Sequence, residues 1–460
     1  MSKRYLHLVL AGLLGGVSSG SYAAVDQSQA DRLGKDLTPT GAEQAANAAG
    51  TIPAWTGGET EAPAGWEWGK ARHKFWPHQN DAKLLTIDAS NVDQYADSLT
   101  AGQIASIKTL SGYTMEVYPT QRSCALPQSA YERTKLNAAS AKLSSDGNKL
   151  EAGVGNAVLF PIPQTAEEVI WNHKMRYMGE GFKMKFLSHI SPSKGSDAWV
   201  KFYNEWLVDL PFNKPNNQGV ADAGGIEAAF VYDTFEPEAR IGEKLLYKWN
   251  INEPTNAWLY FPGQRRVRRL PTYSYDAPVM GNEGTKVVDE FWMFNGAMDR
   301  FDWKLVGKKE LIVPYNSFKA YDFTADEASI KNPDHFPRDL VRYERHRVWE
   351  IEATVADGKR HTMPTRRYYV DEDSWNILVA DHFDAEGKIW RTVEAHPMPV
   401  WELDSCVSIS HVSHDLQTQR WVVDSTPYGG GRDVEWNYAR DGKMNKKHFT
   451  VNYLKRSSRR

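Results

Sequence analysis

The chain has 460 residues, with 55 Lys+Arg against 58 Asp+Glu for a formal net charge of −3. A dedicated nucleic-acid binder is usually basic, so this balance argues against that class, and the length fits one large domain or two. The 17 Trp and 21 Tyr are a heavy aromatic load, suited to amphipathic ligands or to a large sheet surface.

Lys3-Arg4 precede the apolar run "LHLVLAGLLGGV", and small residues follow up to Ser21-Tyr22-Ala23-Ala24. These are the charged, apolar and small-x-small segments of a secretory signal peptide, residues 1–23, cleaved after Ala23. The run is shorter than the ~20 apolar residues of a transmembrane helix, and no later segment comes close. No cysteine stands at the junction, so no N-terminal lipid anchor is expected. The mature chain is expected to be exported, which in a bacterium means the periplasm. The two cysteines, Cys124 and Cys406, suggest one disulfide in such an oxidising compartment. The alternative is two separate buried thiols.

Residues 24–90 are rich in small, polar, Pro and Gly residues and read as an extended arm. It would wrap the body through Trp55, Trp66, Trp68 and Trp76. Residues 91–224 read as helices and loops. Val92, Tyr95 and Leu99 recur at helical spacing, and Thr100-x-x-Gln103 reads as a capping box ahead of Ile104, Ile107 and Leu110. Thr165-x-x-Glu168 opens a second helix with Trp171, Met175 and Met178 on one stripe. From residue 225 to 425 the period becomes that of strands: "FVYDTF", "EKLLYKWNI", "AWLYF", "RRVRRL", "RVWEIEATV", "TRRYYV", "WNILVADHF" and "KIWRTVEA". Turn signals such as Pro262-Gly263 and Asp357-Gly358 separate them, so an antiparallel meander is expected. In "RVWEIEATV" Arg347, Trp349, Ile351, Ala353 and Val355 share one face, and Glu350 and Glu352 the solvated other. The expected fold is mainly β, a large curved antiparallel sheet or incomplete barrel with a few helices. Residues 426–460 read as a glycine-interrupted loop and a basic tail.

The chain contains no GxSxG, P-loop, HExxH or GxGxxG motif. His411 and His414, beside Asp415, are spaced like metal ligands. Positions three apart on a strand point to opposite faces, so no shared ion is expected. "DEDSWN" lacks the glycine of a calcium loop and reads as a turn. Asp381, His382, Asp384, Glu394 and His396 lack a nucleophile or oxyanion donor beside them. They read as solvent-facing sheet positions rather than an acid–base site, and neither catalysis nor a cofactor is expected.

Six stretches, "LTPTGAEQAANAAGTIPAWTGG", "MEVYPTQRSCALPQ", "FPIPQTAEEVIWNHKMRY", "WLYFPGQRRVRRLP", "DEFWMFNGAMDRFDWKLVGKKELIVPYN" and "RRYYVDEDSWNILVADHFDAEGKIWR", resemble one family. It comprises exported Gram-negative proteins with a domain of unknown function, described as similar to outer-membrane lipoprotein-sorting, or Lol-type, carriers. The resemblance runs from about residue 31 to the C-terminus. It implies a curved antiparallel sheet closed by helices over an apolar cavity. It also implies a role in envelope traffic beside a resistance-nodulation-division (RND) exporter and an outer-membrane companion protein. Two departures stand out. Val451 takes the place of an expected proline before a terminal helix. Cysteine at position 124 is not a family feature, so a bridge there would be particular to this chain.

The function expected is that of a periplasmic carrier for a lipid or other amphipathic ligand. Trp258, Tyr260, Phe261, Trp292, Phe294, Trp303, Tyr368 and Trp390 are the candidate hydrophobic wall. Arg266 and Arg268 are the candidate head-group residues, able to meet an anion bidentately. The alternatives are a non-catalytic adaptor or chaperone for an exporter or outer-membrane partner and, further off, a polysaccharide binder or envelope enzyme.

Overall fold

The computed structural model describes residues 25–271 and 273–457. The signal peptide expected over 1–23 and the last residues of the basic tail lie outside the described residues. Most of the regular structure in these residues is strand, because apolar residues recur at every second position there. Phe182, Met184 and Phe186 are buried while Lys183 and Lys185 between them are half-exposed. Phe202, Trp206 and Val208 repeat this pattern on the next strand.

Thirteen such strands form an open sheet. They are β1 (Gly181–Ile190), β2 (Val200–Asp209), β3 (Ile226–Glu236), β4 (Lys244–Asn250), β5 (Asn256–Phe261), β6 (Arg266–Arg269) and β7 (Phe301–Pro314). The rest are β8 (Tyr343–Val355), β9 (Thr365–Asp371), β10 (Ile377–Phe383), β11 (Ile389–Ala395), β12 (His411–Asp415) and β13 (Arg420–Thr426). Three short pieces, Leu85–Ile87, Met115–Val117 and Glu435–Trp436, bring the sheet to sixteen strands. In space the long strands run β7 to β13 in sequence order, then β1 to β6. Two meanders thus lie side by side, joined where β13 pairs antiparallel with β1 through Val422↔Ile190 and Val423↔His189. The two outer edges, β6 and β7, are consecutive in the chain. Both edges carry cations, Arg266, Arg268 and Arg269 on β6 and Lys304, Lys308 and Lys309 on β7, which discourages edge-to-edge association.

The expectation of helices and loops over 91–224 is corrected by β1 and β2. The end of β1, Leu187–Ile190, is buried on both faces, so its alternation disappears, and Asn204 interrupts the apolar row of β2. β7 also went unread as a strand, because a bulge between Leu305 and Gly307 resets its period. On β8, Ile351 and Ala353 are buried with Trp349 and Val355 against them. The opposite face is not simply solvated, because Glu350 is buried and paired with Lys309 at 2.8 Å.

Two helices cover the outward face. α1 (Ala101–Thr109) starts from the Thr100/Gln103 capping box and sits on β10 and β11. Its first turn is fastened by Asp381, which accepts the Gly102 N–H at 2.9 Å and the hydroxyls of Thr100 and Thr392 at 3.2 and 3.1 Å. The C-terminal helix (Val451–Ser457) seats Leu454 against Ala229, Val231 and Leu246. Thr450 Oγ1 accepts the Tyr453 N–H at 3.1 Å, so this helix is capped without a proline at 451. The helices Gln128–Ser140 and Ala166–Lys174 close the inward side, with Trp171 fully buried.

The arm is held by Arg72, whose guanidinium forks onto Glu402 at 2.7 and 2.8 Å, and by Trp66 against Trp401 at 4.8 Å. Cys124 and Cys406 form a disulfide within a cluster that includes Val313, Tyr315 and Leu378. No helix among the described residues is long and apolar enough to cross a membrane.

The first turn of α1 leaves no room for a side chain at 102, since a Cβ there would strike Asp381 Oδ1 and Thr392 Oγ1. Gly102→Ala should therefore lower stability by about 1–3 kcal/mol through overpacking, although alanine is the better helix former by ~1 kcal/mol. Thermal melts by circular dichroism check the sign.

Candidate functional site

Because β6 and β7 sit on opposite edges, the connection between them has to cross the sheet. It crosses on the inward face, and residues 273–300 touch strands of both meanders. Register assigns that face. Arg366, His382 and Arg391 lie side by side on β9, β10 and β11, as do Tyr368, Ala380 and Val393. On the first meander Phe182, Val208, Phe230 and Tyr247 form one such row.

The crossover carries "KVVDEFWMF", in which two acids interrupt an apolar run. Its aromatics fill the concavity. Trp292 lies 5.2 Å from Phe230 and 4.9 Å from Trp249. Phe294 lies 5.2 Å from Trp303 and 5.7 Å from Tyr368. The backbone turns sharply between these rings, with Trp292 and Met293 both left-handed at φ 50° and 75°. That conformation costs an L-residue about 1–2 kcal/mol, so the surrounding contacts must hold it.

The polar groups of the crossover meet a matching set on the floor. Asp289 is bonded by Arg366 Nη2 at 3.0 Å and contacts His361 Nε2 at 3.0 Å. Glu290 takes Arg391 Nη1 at 3.2 Å and its own Val287 N–H at 2.7 Å, and lies 3.2 Å from His382 Nδ1. Lys286 reaches Asp424 and lies 3.0 Å from His411 Nε2. All of these groups are buried. Burial would raise both crossover carboxyls. The cations outweigh it, Arg366 with His361 for Asp289 and Arg391 with His382 for Glu290, and hold both below the usual carboxylate range. Burial pulls the Lys286 ammonium down, with Asp424 opposing it.

Two cavities flank the crossover. One, of about 70 Å³, lies between Phe186, Tyr232 and Tyr247 on the floor and Tyr273 and Phe291 above. The other, of about 310 Å³, is lined by Trp171 and Lys174, by the β4–β5 turn and by Val288 and residues 295–299 of the crossover. Only the second reaches the ~300 Å³ lower end of small-molecule pockets. In this conformation the crossover takes the space that an apolar ligand would need.

The proposed wall residues fall into three groups. Phe294, Trp303 and Tyr368 meet one another, and Trp292 joins the first-meander aromatics, although Trp292 and Phe294 belong to the crossover and not to the sheet. Trp258 and Tyr260 are corrected. They alternate with inward Leu259, and Trp258 packs beneath the C-terminal helix. Phe261 is half-buried at the end of β5 under Arg268, 5.5 Å away, and Trp390 donates to Asp415 at 2.9 Å beside Arg391. Arg266 and Arg268 pair in register with Phe261 and Leu259 and so share the inward face, but at its exposed outer edge, where Arg268 bonds Gln264 at 2.7 Å. Asp381, His382, Glu394 and His396 are buried rather than solvent-facing. His411 and His414 point to opposite sides, His411 to Lys286 and His414 to the Phe336 N–H. The residues missed were Arg366 and Arg391. Their signal was phase, since each falls in the inward row of an otherwise apolar strand.

His382 and His411 are pulled down by burial to about 4 and about 3, as are His189 and His396, to about 4 and about 3. The unfolded chain takes these protons near pH 6.5, whereas the folded chain refuses them until about pH 4 or below. Stability is therefore present above about pH 6.5 and is lost as pH falls toward 4. Asp381 and Glu59, raised by burial to about 6 and about 7, act in the opposite sense, as do other buried carboxyls raised by burial such as Glu168, Glu394 and Asp433. Substitution isolates the histidine share: His396→Gln should raise the melting temperature at pH 4.5 relative to that at pH 7 when compared with the wild type, and an unchanged difference would contradict this.

Residues 86–455 match the family described as a protein of unknown function (DUF1329). The chain is 43% identical over 428 residues to the uncharacterized protein PA3922 of Pseudomonas aeruginosa, covering 91% of each. Among solved structures it is similar to a DUF1329 family protein from Desulfovibrio piger, with TM-score 0.39 and 13% identity over 60% of this chain and 92% of that one. It is also similar to the LolA superfamily protein NE2245 from Nitrosomonas europaea, with TM-score 0.37 and 13% identity over 63% of this chain and 100% of that one.

Proposed function

The chain belongs to the DUF1329 family, and from that premise we propose that it is a periplasmic carrier for a lipid or similar amphipathic molecule. The observation that carries this reading is the aromatic and aliphatic floor across β1–β4, covered by the crossover and by loop residues such as Trp401 and Trp436 in place of a continuous layer of helices. Removing an acyl chain from water onto such a floor gives ~25 cal/mol per Å² buried. The two flanking cavities supply the places from which a ligand would begin to enter.

The reading is non-catalytic. Asp381 fastens α1 on the outward face, and Glu394 is bonded there by Tyr113, Tyr343 and Arg338. His382 lies in the inward row, so these groups are divided between two faces and do not converge on a substrate. The partners that accompany the reading, an RND exporter and an outer-membrane companion protein, rest on the sequence resemblance alone. Crosslinking in cells would test them.

Gentle purification followed by native mass spectrometry should find the protein carrying lipid, and the delipidated form should regain it from vesicles. A protein that is empty as isolated and takes no lipid from vesicles overturns the carrier reading.

A further inference from the structure

Asp289 and Glu290 stand where a ligand's charge would stand. They are held by two arginines that belong to the floor of the sheet, on β9 and β11, and not to the crossover itself. We propose that Arg366 and Arg391 form a binding site for the anionic head group of an acidic amphiphile, and that the crossover carboxylates fill that site until the ligand replaces them. This inference rests on the carrier reading and names the ligand class for it: one carboxylate or phosphate on an apolar tail.

Three observations support it. Arg366 and Arg391 are buried in a row with His382 between them, so their desolvation is already met and a ligand anion that takes the place of either carboxylate keeps that arginine paired. A neutral ligand would leave them unpaired, which is strongly unfavourable. Next to this charged row, Trp292 and Phe294 of the same crossover cover the aromatic floor. A displaced crossover would therefore uncover cations and apolar surface together, in the arrangement of an acidic amphiphile. Finally, Trp292 and Met293 are both left-handed, a conformation that the chain would leave on release.

The test uses the mature protein with dodecanoate, dodecyl maltoside, inorganic phosphate and vesicles with or without phosphatidylglycerol. Dodecanoate should bind, and phosphatidylglycerol vesicles should donate lipid where phosphatidylcholine vesicles do not. Arg366→Gln with Arg391→Gln should weaken dodecanoate binding at least tenfold and leave dodecyl maltoside within twofold. Asp289→Asn with Glu290→Gln should tighten dodecanoate at least tenfold. The wild-type readout, which no folding defect can obscure, is hydrogen exchange. Amides over 286–295 should lose protection when dodecanoate saturates the protein. Unchanged protection at saturation, or equal binding of both detergents to every form, overturns the head-group site while leaving the carrier reading standing. Phosphate opening the crossover as well as dodecanoate does would make this a small-anion site and overturn the amphiphile proposal. If no amphiphile or vesicle lipid binds any form, the carrier reading itself fails.

Discussion

β6 and β7 follow one another in the chain yet lie on opposite edges of the row of thirteen long strands. A connection between two edges has to pass over one face, and here it passes over the inward one. The crossover is therefore both a linker and a layer of the core. Its aromatics complete two separate clusters, Trp292 with the first meander and Phe294 with the second. The filled concavity, the two flanking cavities and the buried charges all follow from that one path.

The charges follow because any chain crossing an apolar floor brings polar groups into low dielectric. An isolated buried carboxylate is very costly, so Asp289 and Glu290 require cations where they land. Arg366 and Arg391 supply them, each with further bonds, from Arg366 to the Tyr368 hydroxyl and from Arg391 to the Gly284 carbonyl. Pairs of this kind fix position more than they add stability. They set where along the face the crossover rests, and that holds the left-handed turn at Trp292 and Met293 in place. On the other face a similar device is purely structural, with Asp381 fastening the first turn of α1.

Much of the second meander was legible in the sequence, because β8 to β11 are rich in β-branched and aromatic residues and end at recognisable turns. The capping box at Thr100 and Gln103 was equally plain, since its two hydrogen bonds are local. β1 was hidden where Leu187–Ile190 are buried on both faces, and β7 where its bulge shifts the period. The wall residues were chosen as aromatics of strand-like stretches, and that fails twice. Trp258 and Tyr260 alternate away from the floor, and the C-terminal helix packs on a Trp258 that stays partly exposed. The head-group arginines were sought at the hairpin "FPGQRRVRRLP", where density of charge marks an exposed edge. The arginines buried under the crossover, Arg366 and Arg391, stand singly, in phase with apolar neighbours. No local pattern could have placed Asp289 against Arg366, because that contact depends on the path of the whole connection.

The seam between β13 and β1 bears on how the sheet comes to exist. In a chain that emerges from its N-terminus, the first meander is complete while β1 still presents an unpaired edge, and its partner is the last long strand to appear. Distant pairings of this sort close late and slowly, and an open hydrophobic strand invites association in the meantime. Unlike β6 and β7, the second half of β1 has no cations to protect it, since Leu187–Ile190 are apolar or neutral and buried in the finished sheet. A chain ending before residue 420 would keep that edge open for good, so the C-terminal third acts as the built-in cover for the strand that folds first.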